Sequence, residues 1–167
     1  MGWFSRGPRG PRLWVLLDVD GTLSPFGRVR RGEDYLIASA PEGNVTIPGW
    51  VPDALQRLQE EGIGLAWYTA WTTTANDVIA PLLGLPALPV APLASGMDEP
   101  AMLKASGLTG WREYSPHDRY LILDDDLPEH VRAVLPTNAR GHQIDPSIGL
   151  QPSDLIAAST LLRTWPV

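Results

Sequence analysis

The chain has no cysteine among its 167 residues. Disulfides, thiolate metal ligands and thiol nucleophiles are therefore excluded. Lysine is nearly absent too. Twelve arginines carry the positive charge, and Lys104 is the single lysine. A chain that uses arginine everywhere else and keeps one lysine invites a chemical reason for it. Long apolar runs are also missing. Near the start the longest is Leu13 to Leu17, closed by Asp18, too short for a membrane span or for the apolar region of a signal peptide. The opening Met-Gly-Trp-Phe-Ser-Arg misses the myristoylation pattern, because Arg6 stands where Ser or Thr is required. The expectation is a cytoplasmic protein with no membrane partner.

What is present is ordinary globular material. Apolar residues make up 44% and charged residues 19%, which excludes a disordered chain. A chain of this length buries roughly 68–70% of its unfolded surface and holds a core without staples. Glycine and proline number 16 and 17, so the chain is rich in turns. The net charge of −6 is uneven. Residues 1–31 carry six arginines against two aspartates; the rest carries seven basic and seventeen acidic side chains. That acidic bulk disfavours tight, non-specific nucleic-acid binding, although nucleic acid stays possible as a partner. Residues 1–12 read as a flexible basic arm with a frayed end. Residues 13–167 read as one α/β domain.

Apolar strand-like runs alternate with helical patterns along that domain. Leu13 to Leu17 has the continuous apolar character of a strand buried on both faces. Residues 24–48 hold a Pro/Gly/Arg-rich loop and a hairpin, Tyr35 to Ala40 and Asn44 to Ile47 around Pro41-Glu42-Gly43. Helices are predicted over Pro52 to Glu61, over Thr72 to Leu83 with Thr72 as cap, and over Glu99 to Ser106. Two more are predicted over Leu127 to Leu135 and over Ser153 to Leu162, the latter capped by Ser153. Further strands are predicted over Ile63 to Tyr68, Leu88 to Val90, Tyr120 to Leu123 and residues 142–144. The alternation implies a three-layer, Rossmann-like parallel sheet with helices on both faces and a small β-hairpin inserted after the first strand. Such sheets bind ligands at the carboxyl ends of their strands.

Three predicted strands end in polar residues: Asp18 and Asp20, Thr69, and Asp124 with Asp125. In a parallel sheet these converge on one edge. Carboxylates gathered there need a shared proton or a bound cation. Hard oxygen donors without histidine or cysteine suit Mg²⁺. Beside a lysine and a hydroxyl, that is a natural seat for a phosphoryl group, toward which an aspartate can act as nucleophile.

Leu16-Leu-Asp-Val-Asp-Gly-Thr-Leu23 resembles the first motif of the haloacid dehalogenase (HAD) superfamily. Trp67-Tyr-Thr69, Lys104 and Leu121-Ile-Leu-Asp-Asp125 resemble its second, third and fourth motifs, in order. The run Trp67 to Asn76 also resembles a small subgroup found in actinobacteria and their phages, some relatives of which are linked to RNA repair.

The resemblance implies a Mg²⁺-dependent phosphatase that works through an aspartyl-phosphate. Asp18 would be nucleophile and metal ligand. Asp20 would be general acid and then base, with its carbonyl on the metal; an acid two residues after the nucleophile marks the phosphatase branch. Thr69 and Lys104 would act on the phosphoryl group, with Gly21, Thr22 and Ala70 also facing substrate. Asp124 and Asp125 would complete the metal site. The spans from Asp18 to Thr69 and from Thr69 to Lys104, 51 and 35 positions, hold no full cap, so the chain resembles the capless type with an open site. The substrate would be a phosphorylated small molecule or macromolecular end. A phosphotransferase, a polynucleotide-end phosphatase in repair, and a non-catalytic binding or assembly module are the alternatives.

Local structural alternatives stand beside these roles. Asp18 and Asp20 could form a turn before Gly21, Thr69 could cap a helix, and Lys104 could be a solvated surface residue. Among Asp124 to Asp126, Asp126 is the expected helix cap and Asp124 the ligand. Trp67 and Trp71 read as core first and cleft lining second. His117, His130 and His142 are scattered and read as surface or core residues.

Overall fold

The computed structural model describes residues 12–96 and 100–166. Its centre is a four-stranded parallel sheet built from β1 (Leu13–Leu17), β4 (Ile63–Trp67), β5 (Arg119–Asp124) and β6 (Ala139–Gln143), in the order β4-β1-β5-β6. β1 is internal. Leu17 stands beside Trp67 of β4 on one side and Leu123 of β5 on the other. An inner strand needs apolar residues on both faces, which is why Leu-Trp-Val-Leu-Leu shows no alternation with polar residues.

The two faces fill separately. Val15, Leu17, Leu65, Trp67, Leu121 and Leu123 pack with α1 (Val51–Glu60) and α5 (Pro152–Thr164). Val51, Leu55 and Leu58 form the buried stripe of α1 at helical spacing. On the opposite face Trp14, Leu16, Ala66, Tyr120 and Ile122 pack against Ala105 and Leu108, at and just after α3 (Pro100–Gly107), and Val131 of α4 (Glu129–Arg132). The result is three layers. Gly64 lies beside Trp14 in the ladder, and a Cβ there would sit 2.6 Å from Trp14 Cε3. Only glycine lets that indole lie across the neighbouring strand.

Between β1 and α1 the chain forms an antiparallel hairpin, β2 (Tyr35–Ala40) with β3 (Gly43–Pro48). Its inward residues Val45 and Ile47 join the core, and Ile37 on the other face is exposed. The basic arm of residues 1–12 lies outside the described residues, apart from Arg12.

Several boundaries differ from the sequence pattern. Leu88 to Val90 does not extend the sheet; a single parallel bridge joins Val90 to Trp67. Pro86, Pro89 and Pro92 have no N–H to give to a ladder, which limits pairing to that point. The helix expected over Leu127 to Leu135 has one turn, Glu129–Arg132. It begins only after extended Pro128, because the Leu127 N–H donates to Gln143 Oε1 at 2.8 Å instead. Asp126 does not cap it; the Asp126 N–H donates to Asp124 Oδ1 at 2.9 Å. α2 spans Thr74–Leu82, and Thr72 is not its cap but a left-handed residue at φ +46°. α5 begins at Pro152, and Asp154 accepts the Gln151 N–H at 2.7 Å, so Ser153 is not its cap.

Candidate active site

Parallel pairing carries the polar strand ends to one edge. The Asp18 N–H donates to the Leu123 carbonyl at 3.1 Å, and the Tyr68 N–H donates to the Leu17 carbonyl at 2.8 Å. These bonds continue the ladder past β1 and bring Asp18, Thr69 and Asp124 side by side. One carboxylate oxygen from each of Asp18, Asp124 and Asp125 lies within 4.8 Å of the other two. Asp18 is 6% exposed and Asp124 fully buried.

The lone lysine reaches into this cluster from α3. Lys104 Nζ lies 3.1 Å from Asp18 Oδ1 and also pairs with Asp124 Oδ2. It is 7% exposed, so the reading of a solvated surface lysine is set aside. The Tyr68 hydroxyl donates to the Lys104 carbonyl and fixes that turn of α3 against the sheet.

Burial dominates the electrostatics. It pushes the Asp18 carboxyl above its ordinary range, against the opposing pull of Lys104, the Thr69 hydroxyl and the Val19 N–H. Asp124 rises to about 7 through burial and then through the charge of Asp18. Asp125 rises to about 6 for the same two reasons. Lys104 moves upward: its burial opposes charge, but Asp18 and Asp124 together outweigh that. Three carboxylates against one ammonium leave a formal charge of −2. An oxygen-only donor set with that charge fits a hard divalent cation such as Mg²⁺.

The remaining residues predicted for the site surround this cluster. Thr69 is 1% exposed, donates its hydroxyl to Asp18 and accepts the Trp71 N–H at 3.3 Å. Ala70 beside it is exposed. Gly21 has φ +71°, and a Cβ there would collide with the Asp125 carboxylate. This position therefore requires glycine on two counts. Thr22 is fully buried; its hydroxyl has no partner among the described residues, and its carbonyl accepts the Leu150 N–H. The Asp20 carboxylate stands outside the three-carboxylate group. Its Oδ2 accepts the indole N–H of Trp71 at 2.8 Å.

Trp71, read as core first and cleft lining second, is core, with its indole N–H turned to Asp20; Gln143 is a neighbour of the acidic loop that sequence reading passed over. Gln143, the last residue of β6, donates its amide to the Asp125 carbonyl and accepts the Leu127 N–H, so it braces the acidic loop from both ends. Trp67 is core as well, with its indole N–H on Asn76 Oδ1 at 2.8 Å. Among the histidines, His142 pairs with Asp154 at 2.8 Å, away from the carboxylates.

Residues 14–155 match the model of a family described as the HAD domain in Swiss Army Knife RNA repair proteins. The chain belongs to this family. It is thereby a member of the HAD superfamily of hydrolases and phosphatases. Among solved structures the fold is similar to the HAD domain of the effector protein Lem4 from Legionella pneumophila. That likeness has a TM-score of 0.53 at 13% identity and covers 92% of this chain and 95% of that one. A hypothetical protein from Xanthomonas campestris aligns at a TM-score of 0.45 and 18% identity, over 99% of this chain and 100% of that one. A search of curated proteins finds no match. No helix among the described residues of this HAD domain is long and apolar enough to cross a membrane.

Proposed function

We propose that this HAD domain is a Mg²⁺-dependent phosphomonoesterase with an aspartyl-phosphate intermediate, an open site of the capless type, and a phosphorylated RNA end as its substrate. One observation carries the reaction class. Asp18 closes an inner strand with Lys104 and Thr69 on its carboxylate and two further carboxylates within 4.8 Å. The RNA end is supported by membership of a family described from RNA repair proteins. The basic run Arg28, Arg30 and Arg31, 8 to 11 positions after Asp20 in a chain of net charge −6, supports it too.

Asp18, Asp124 and Asp125 would hold the metal, with the Asp20 carbonyl as a further donor. Bound there, Mg²⁺ supplies charge neutralisation between the carboxylates and the incoming phosphoryl oxygens. The Thr69 hydroxyl and the Lys104 ammonium orient those oxygens and offset their charge. An Asp18 carboxylate oxygen attacks phosphorus, so an oxygen–phosphorus bond forms to Asp18 and the ester bond to the leaving oxygen breaks. The Asp20 carboxyl gives its proton to that oxygen. As a carboxylate it then takes a proton from the water that attacks phosphorus and releases phosphate and Asp18. Positioning and charge neutralisation do most of the work in such transfers.

Phosphate release from an activated aryl phosphate, nucleotides, 3′- and 5′-phosphorylated oligoribonucleotides and phosphopeptides, with Mg²⁺ and with chelator, tests this. The expected result is metal-dependent release with highest kcat/KM on an oligonucleotide end. Preference for a free nucleotide would overturn the substrate reading alone. No release on any member by folded, Mg²⁺-binding protein would move the site to a binding or assembly role.

A further inference from the structure

We propose that Trp71 is a positioning residue for Asp20, holding one oxygen of its carboxyl so that the other is turned to the leaving group. The inference rests on the proposed phosphatase reading and adds a residue to it.

Trp71 is 2% exposed, so its ring is anchored in the core. From there its indole N–H crosses 51 positions of sequence to reach Asp20 Oδ2 at 2.8 Å. Its backbone N–H donates to Thr69 Oγ1 at 3.3 Å. One residue thus touches the group that would give the proton and the hydroxyl that would hold the phosphoryl oxygen. The turn that presents it is strained. Thr72 is the one non-glycine with positive φ among the described residues, at +46°, and it is β-branched. The Thr72 N–H returns to the Thr69 carbonyl and the Thr74 N–H to the Trp71 carbonyl, at 3.1 and 3.0 Å. Strain held by surrounding bonds is what a precisely placed side chain requires.

The donor's chemistry suits the task. An indole N–H only donates. It therefore occupies Oδ2 as an acceptor and leaves Oδ1 to face the leaving group, with one orientation in place of two. The same logic lets a fixed partner set the orientation of a catalytic imidazole.

Trp71→Phe removes the N–H and keeps an anchoring ring. The test reads kcat/KM on an activated aryl phosphate and on a 3′-phosphorylated oligonucleotide, with the Mg²⁺-loaded enzyme. A good leaving group needs little proton donation, so the ratio of the two values should move about tenfold against the oligonucleotide. In an Asp20→Ala background, Trp71→Phe should not move the ratio further. A purely structural role slows both substrates alike, and an unmoved ratio would overturn the proposal. A second readout needs no turnover. The indole N–H resonance that Trp71→Phe deletes should shift markedly in Asp20→Ala; a resonance indifferent to Asp20 would also overturn it. Absence of Asp18-dependent turnover in the wild type would bring down the phosphatase reading and this inference with it. Intact turnover with an unmoved ratio removes Trp71 alone.

Discussion

The single lysine of the chain ends against the aspartate that closes its central strand: Lys104 Nζ lies 3.1 Å from Asp18 Oδ1. The same ammonium pairs with Asp124, and all three groups are buried. The pairing ties α3 to the sheet and compensates charge in a place that water barely reaches. Taking away one partner of a buried pair leaves the other uncompensated. Lys104→Met should therefore cost about 3–5 kcal/mol of stability in chelator. Denaturant unfolding with and without Mg²⁺ checks this, and saturating metal should recover part of the loss.

Acidity should stabilise the metal-free fold. Burial raises Asp18, Asp124 (to about 7) and Asp125 (to about 6), against roughly 3.9 for aspartate in an unfolded chain. A raised carboxyl means that the folded state binds the proton more tightly. Stability then falls as pH climbs from about 4 to about 7 through Asp124 and Asp125, and Asp18 acts in the same direction. In chelator the melting temperature should be higher at about pH 5 than at about pH 8. Saturating Mg²⁺ should shrink the difference, because it replaces the protons as countercharge. A metal-free melting temperature that rises over the same interval would contradict the electrostatics described for the cluster.

Gly21 is the point at which the Asp20 loop meets the acidic loop. A methyl group there would strike the Asp125 carboxylate, on a backbone at φ +71°. Gly21→Ala should cost about 1–2 kcal/mol for the left-handed conformation. It should also weaken Mg²⁺ binding by about tenfold, the scale expected when a ligand loses its orientation. Calorimetric titration with Mg²⁺ at constant pH measures the second effect separately from the first.

Gln143 holds the Asp125 carbonyl and the Leu127 N–H at once. Gln143→Leu keeps the bulk and leaves both backbone groups without that partner, at a cost of about 1–3 kcal/mol. Hydrogen exchange at Leu127 should accelerate in this variant, while exchange within β1 follows only the global loss.

Much of the site could be read before the structure. Asp18, Thr69 and Asp124 each close or follow an apolar run, and parallel pairing of such runs leaves them one edge to share. Lys104 stood out because no other lysine exists. Gln143 carried no comparable signal, and Trp71 drew notice only as an aromatic two residues after Thr69, with nothing to point it at Asp20. Each meets its partner across a distance in sequence, 51 residues for Trp71 and 18 for Gln143, that periodicity cannot span. The short α4 and the missing strand at Leu88 to Val90 have a different cause. Helical or strand-like spacing was present in both, but prolines at 86, 89, 92 and 128 withheld the donors or set the backbone that those elements needed.

In the proposed reaction Asp18 takes the phosphoryl group. Acid-quenched protein, mixed with a phosphorylated substrate and Mg²⁺ and then analysed by peptide mass, tests it most directly. A hydroxylamine-labile phosphoryl group is expected on the peptide that contains Asp18. This group and phosphate release should both be lost in Asp18→Asn protein that melts cooperatively. Phosphate release that survives Asp18→Asn, or a phosphoryl group that maps to another residue, would contradict it.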